Sequence, residues 1–279
     1  MEKFFEILKS IFFGIVEGIT EWLPVSSTGH LIITDEFLKL DVSSAFWELF
    51  TVVIQLGAIA AVPILFFNKL NPFSKTKTAE ERKMTWSLWF KVCVGVAPAA
   101  VVGFLFDDFF EEHLYNYIVV AIALAVYGVA FILIEKFKRG RAYRVESVYD
   151  ISYTDALAIG AFQMLSLVPG TSRSGSTILG GMLIGVSRVA SAEFSFFMAI
   201  PVMIGASLLK IAKFFMIDEN VISGFEFLLL GIAMAVSFIV SLIAIKFLMD
   251  FVKRHSFTPF GIYRIALGVF VLIFFMIYR

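Results

Sequence analysis

Apolar runs of helix length, separated by short polar stretches, set the rhythm of this chain. Six of them, at 45–67, 88–106, 117–134, 194–217, 227–249 and 260–278, each come near the ~20 residues a helix needs to cross a bilayer core. They predict six transmembrane helices. Two further apolar segments are interrupted, by "LPVSSTGH" at 23–30 and by "LVPGTSRSG" at 167–175. Proline removes a backbone donor and clashes with the preceding turn, so a single helix does not run through either. Each therefore predicts a pair of short helices that enters the membrane and turns back.

Shifted by about 145 positions, the sequence matches itself. Pro24 falls opposite Pro169, Ser27 opposite Ser172, Thr28 opposite Arg173 and Glu48 opposite Glu193, and a slightly shorter shift sets "IALAVYGV" on "IALGVFVL". The pattern predicts one membrane domain, 1–279, with repeat one at 1–139, repeat two at 150–279 and a basic cytoplasmic linker at 135–149. If each unit crosses three times, the two are inverted relative to one another, and their broken segments meet near the midplane. Irregular backbone at that depth is tolerated only when buried in protein or lining a wet cavity.

Charge supplies the orientation. Lys69, Lys75, Lys77, Arg82 and Lys83 follow the first span, Lys136, Lys138, Arg139, Arg141 and Arg144 the third, and Lys253 and Arg254 the fifth. Loops rich in Lys and Arg belong in the cytoplasm. The loops at 107–116 and 217–224 contain neither residue, and together with both termini they are placed outside. Composition agrees: of 279 residues, 59% are hydrophobic, 16% are charged and 33 are Phe, and the mean hydropathy is +0.90. This excludes a soluble domain and gives no sign of a nucleic-acid partner. The N-terminal apolar run lacks a basic leader and a small-residue cleavage site, so no cleaved signal peptide is expected. Cys93 is the single cysteine, which leaves no intramolecular disulfide or cysteine metal cluster.

The candidate chemistry lies in the two breaks. Glu17 and Glu21 are one helical turn apart and project from one face. Ionisable groups at membrane depth are costly and usually have a partner or a role. Two acids so spaced suit a hard divalent cation, the remaining positions being left to water and phosphate. The second break has no acid. Its Thr171, Ser172, Arg173 and Ser174 suit an anion held at a helix start, with the guanidinium gripping two phosphoryl oxygens. His30 is either a structural donor or an acid, base or nucleophile. Glu48 and Glu193 are expected only to complement the N-termini of their helices, and Arg264 to reach the interface from the end of the last span.

"EGITEWLPVSSTGHL" followed by "PGTSRSG" resembles the two signature motifs of the bacterial undecaprenyl pyrophosphate phosphatase family, also called the bacitracin resistance protein BacA. The likeness covers nearly the whole chain. It implies hydrolysis of the C55 polyprenyl pyrophosphate to the monophosphate at the outer face of the bacterial cytoplasmic membrane, which recycles the lipid carrier for peptidoglycan. It also implies a divalent cation, Mg2+ or Ca2+, held by Glu17 and Glu21, and a pyrophosphate bound by Ser26, Thr28, Thr171, Ser172, Arg173 and Ser174. Either Ser27 or His30 would attack, unless an activated water does. The expected partners are the lipid substrate and membrane lipids, and a homodimer is allowed. A competing class is a lipid flippase or secondary transporter of the same inverted-repeat design. Another is the lipid phosphatase superfamily with two separated histidines, whose spacing His30, His113 and His255 do not supply.

Overall fold

The computed structural model describes residues 1–114, 116–217 and 220–278, side chains excepted at 107, 108, 111 and 278. Asp218 and Glu219 of the second loop without Lys or Arg, and Tyr115 of the first, lie outside them. Among the described residues the chain is all helix, with one isolated bridge between Val145 and Val186. The first break joins α1 (Glu2–Thr20) to α2 (Ser27–Leu38). The first span follows as α3 (Ser44–Ile59), α4 (Ala61–Leu65) and α5 (Phe67–Leu70), then α6 (Ala79–Leu114) and α7 (Tyr117–Lys138). The second break joins α8 (Tyr153–Met164) to α9 (Arg173–Leu183), before α10 (Arg188–Phe215), α11 (Gly224–Arg254) and α12 (Thr258–Tyr278).

Among the described residues six helices are long and apolar enough to cross a membrane, and they fall on the six predicted runs. Several helix ends differ from the apolar runs, two of them for clear local reasons. The first span breaks after Ile59 because Pro63 cannot donate to that turn. α6 begins at Ala79, well before the apolar run, because Thr78 and Glu81 cap each other's backbone amides at 2.7 and 3.2 Å.

Helices from the two halves of the chain interlock. α1 lies along α11, α8 along α6, α12 along α7, and α3 along α10. The α7–α12 crossing is close because glycines face each other's carbonyls: a Cβ on Gly128 would sit 2.6 Å from the Gly261 oxygen, and one on Gly261 2.7 Å from that of Gly128. The outer surface is apolar, with Phe104, Phe137 and Ile243 among many exposed side chains, as lipid-facing positions require. The linker is not loose: the Val145 and Val148 side chains are buried, and Arg144 pairs with Asp155.

Glu48 and Glu193 do more than complement their helices. Glu48 pairs with Lys210 at 2.9 Å, and Glu193 pairs with Lys69 at 2.7 Å. α3 and α10 are thus tied at both ends by an acid near the start of one and a lysine near the end of the other segment. The expectation missed this because the partners are far apart in sequence.

Candidate active site

Both breaks end in the same device. Ser26 and Ser172 are the residues just before α2 and α9, and their φ values are 73° and 71°. Each hydroxyl accepts from the amide three residues on, Gly29 at 3.3 Å and Gly175 at 3.1 Å. Left-handed backbone is unfavourable for a side-chain-bearing residue, on the order of 1–3 kcal/mol, and persists where the surroundings enforce it. The equivalence therefore sets Ser26, not Ser27, on Ser172. The second turn holds one more residue between its proline and its capping serine, so the sequence shift of 145 is off by one here. As a result, Ser27 and Arg173 occupy the same first position of their helices.

Those two side chains converge on one carboxylate. Ser27 Oγ donates to Glu21 Oε2 at 2.7 Å, and Arg173 Nη2 donates to Glu21 Oε1 at 3.0 Å. Arg173 Nη1 also donates to the Ser195 carbonyl on α10, at 2.7 Å. Ser195 was not among the sequence candidates, since a backbone acceptor leaves no mark on residue type. Glu21, Ser26, Ser27, Thr28, Ser172 and Arg173 line a cavity of about 290 Å³. Lys210 and Lys213 line it too, and also a second cavity of about 390 Å³ beside Ser44 and Glu48. An apolar groove of about 370 Å³ adjoins it, between Gly103 and Phe104 of α6 and Pro201 and Leu209 of α10, with Ser166 and Leu167 shared by both.

The remaining candidates lie around this cavity rather than in its wall. Thr171 donates to the Leu165 and Val168 carbonyls and staples its own turn. Ser174 is fully buried and donates to the Glu21 and Leu23 carbonyls, joining the second break to the first. His30 has both ring nitrogens engaged, with Nδ1 2.7 Å from the Ser26 carbonyl and Nε2 2.6 Å from the Tyr263 hydroxyl. A carbonyl only accepts, so Nδ1 carries a proton, and in the neutral ring Nε2 accepts from Tyr263.

Glu17 lies one turn before Glu21 and is fully buried, and neither of its carboxylate oxygens has a hydrogen-bond partner among the described residues. An orphaned buried carboxylate is costly and fits a cation that would satisfy it. No group of three or more His, Cys, Asp or Glu gathers among the described residues. The protein's share of such a site would be the two acids, a donor set that suits an oxygen-loving divalent ion also bound by phosphate and water.

Arg264 overturns its expectation. It does not reach the interface: it is fully buried, and its guanidinium donates to the carbonyls of Pro24 at 3.0 Å, Gly170 at 2.8 Å and Thr171 at 2.9 Å. Its place on α12 brings it level with both breaks, whose turn carbonyls lack helical partners and draw the charge inward.

Fold and site together define a multi-pass helical membrane protein with an acid, a hydroxyl and a guanidinium gathered where two broken helices meet. The family described as bacitracin resistance protein BacA matches residues 10–270, and the chain belongs to it. Proteins named undecaprenyl-diphosphatase are similar along almost their whole length. The one from Enterococcus faecalis is 55% identical over 96% of this chain and 97% of its own. Those from Desulfitobacterium hafniense and Streptococcus mutans are 54% and 52% identical, each over 97% of this chain and 96% of their own.

Proposed function

We propose that this chain hydrolyses undecaprenyl pyrophosphate, a C55 polyprenyl pyrophosphate, to the monophosphate and phosphate, returning the carrier to peptidoglycan synthesis and conferring bacitracin resistance. The observation that carries the reading is Glu21 holding Ser27 from one motif and Arg173 from the other on the wall of one cavity. The pyrophosphate fits the polar cavity, and the isoprenoid tail fits the apolar groove beside it, which reaches the exposed face at Phe104.

Ser27 is the nucleophile this geometry favours. Its hydroxyl is already hydrogen-bonded to a carboxylate, the arrangement that activates a serine, whereas both nitrogens of His30 are taken. Ser27 Oγ attacks the terminal phosphorus, its proton passes to Glu21, the bond to the bridging oxygen breaks, and the lipid monophosphate leaves. Water then hydrolyses the phosphoserine and releases phosphate. Arg173, freed from Glu21 as that carboxylate takes the proton, faces the oxygens on which charge develops. Glu17, together with the Glu21 oxygen that Arg173 vacates, would hold the divalent cation, which when bound would supply charge neutralisation to the phosphoryl oxygens.

Purified protein in detergent should release phosphate from a long-chain polyprenyl pyrophosphate, and a chelator should abolish most of that release. Unchanged turnover in chelator removes the cation from the scheme, and no release at all in the presence of Mg2+ or Ca2+ favours a flippase, which needs two compartments.

We infer further that the cavity opens on the outer face and that both termini lie outside, from the basic loops at the other end. Cysteines at Lys75 and Glu112, in a variant lacking Cys93, should label from opposite sides of intact cells. Labelling of both from one side would rule out the inverted arrangement.

A further inference from the structure

We propose that Arg264 is a positioning residue of the reaction: from α12 it holds the two broken turns against each other, and so sets the distance between Ser27 and Arg173. The inference rests on the phosphatase reading above. It begins with an imbalance. Arg264 is 0% exposed, and no carboxylate among the described residues pairs with it. Burying an unpaired charge costs several kcal/mol, and an apolar side chain would fill the volume without that cost. The guanidinium is kept where only a fork of donors can do the task.

The task is visible in what it binds. Nη1 takes the Pro24 carbonyl of the first turn, and Nη2 takes the Gly170 and Thr171 carbonyls of the second. Those carbonyls stand one or two residues ahead of the strained serines Ser26 and Ser172, in backbone that has no helical partner at membrane depth. A single planar group thus spans both turns and fixes where α2 and α9 begin. Ser27 and Arg173 are the first residues of those helices, so a slip of either turn moves one of them relative to Glu21. α9 itself rests on the guanidinium, since a Cβ on Gly175 would lie 3.1 Å from Nη1. Tyr127 of α7 lies on the other side, its ring centroid 5.4 Å from the guanidinium carbon. The preceding residue, Tyr263, is hydrogen-bonded to His30 on α2, so His30 belongs to the same support.

The experiment compares full-length Arg264→Lys and Arg264→Ala with the wild type for kcat, KM, thermal midpoint and amide hydrogen exchange. Lysine keeps the charge but has one nitrogen and cannot span both turns. Arg264→Lys should stay folded and lose about 10–100-fold in kcat, as expected of a misplacement near 1 Å. Its KM should change little, and amides near 23–30 and 168–177 should exchange faster while those of α12 stay protected. Added guanidinium should raise the turnover of Arg264→Ala at least tenfold. A folded lysine variant with normal kcat, a loss confined to KM, or failure of both variants to fold would each overturn the proposal. Hydrogen exchange needs no substrate and the wild-type assay stands alone, so failure of the phosphatase reading is told apart from failure of this one.

Discussion

Arg173→Lys should fold normally and lose about 10²–10³ in turnover, the usual cost of removing one donor aimed at developing charge. The guanidinium spans two acceptors from distant parts of the chain, the Ser195 carbonyl on α10 and Glu21 Oε1 just after α1, and its Nε is buried with no partner among the described residues. Lysine offers a point charge on a flexible stem and can serve only one of these sites at a time. It cannot present two nitrogens in fixed geometry to a pyrophosphate. Phosphate release at saturating substrate and cation, with thermal unfolding measured on the same preparation, reads the effect. Retention of most turnover by a well-folded lysine variant would reduce Arg173 to a general positive charge.

The second large effect has opposite signs in activity and stability. Glu17→Gln should cost on the order of 10²-fold or more in turnover, since it removes a negative group without changing shape. Yet its thermal midpoint in the absence of divalent cation should be unchanged or higher, because the carboxylate it replaces is buried and unpartnered. Glu21→Gln should be equally inactive but less stable, since Glu21 holds both Ser27 and Arg173. Adding Mg2+ or Ca2+ should raise the midpoint of the wild type and not that of Glu17→Gln, as ligand linkage requires. A Glu17→Gln protein with near-normal turnover would remove the acid pair from the site.

Side chains announced much of this arrangement, and backbone contacts announced none of it. Glu21, Ser27 and Arg173 could be assigned to one site because charge and hydroxyls in an apolar chain are conspicuous, and the two breaks share a proline and a serine. Arg264 could not be assigned, because its hydrogen-bond partners are backbone carbonyls that any residue could supply. Ser195 was missed for the same reason. His30 was visible as a histidine, but Tyr263 lies on the last helix and nothing local links the two. The one-residue slip between Ser27 and Ser172 was hidden because matching prolines fix a shift that the unequal turns then break. Helix ends were misjudged where capping outran hydropathy, as at Thr78 and Ala79.

A polar cavity reaching deep into the membrane raises the matter of leakage. Next to Glu21 in the chain, Trp22 enters an apolar layer: Ala58, Ile59, Val62, Phe196 and Phe197 are buried with it in one cluster, its ring edge-on to Phe196 at 5.2 Å. The Lys69–Glu193 pair lies beyond it, its glutamate nearly covered. A chain of water cannot thread such a layer without opening it, so water in the cavity meets a dead end. With such a layer below it, a protein could open Glu21 to one face of the membrane without short-circuiting the ion gradient, a condition that any cell energised by protons imposes on a polar site at membrane depth.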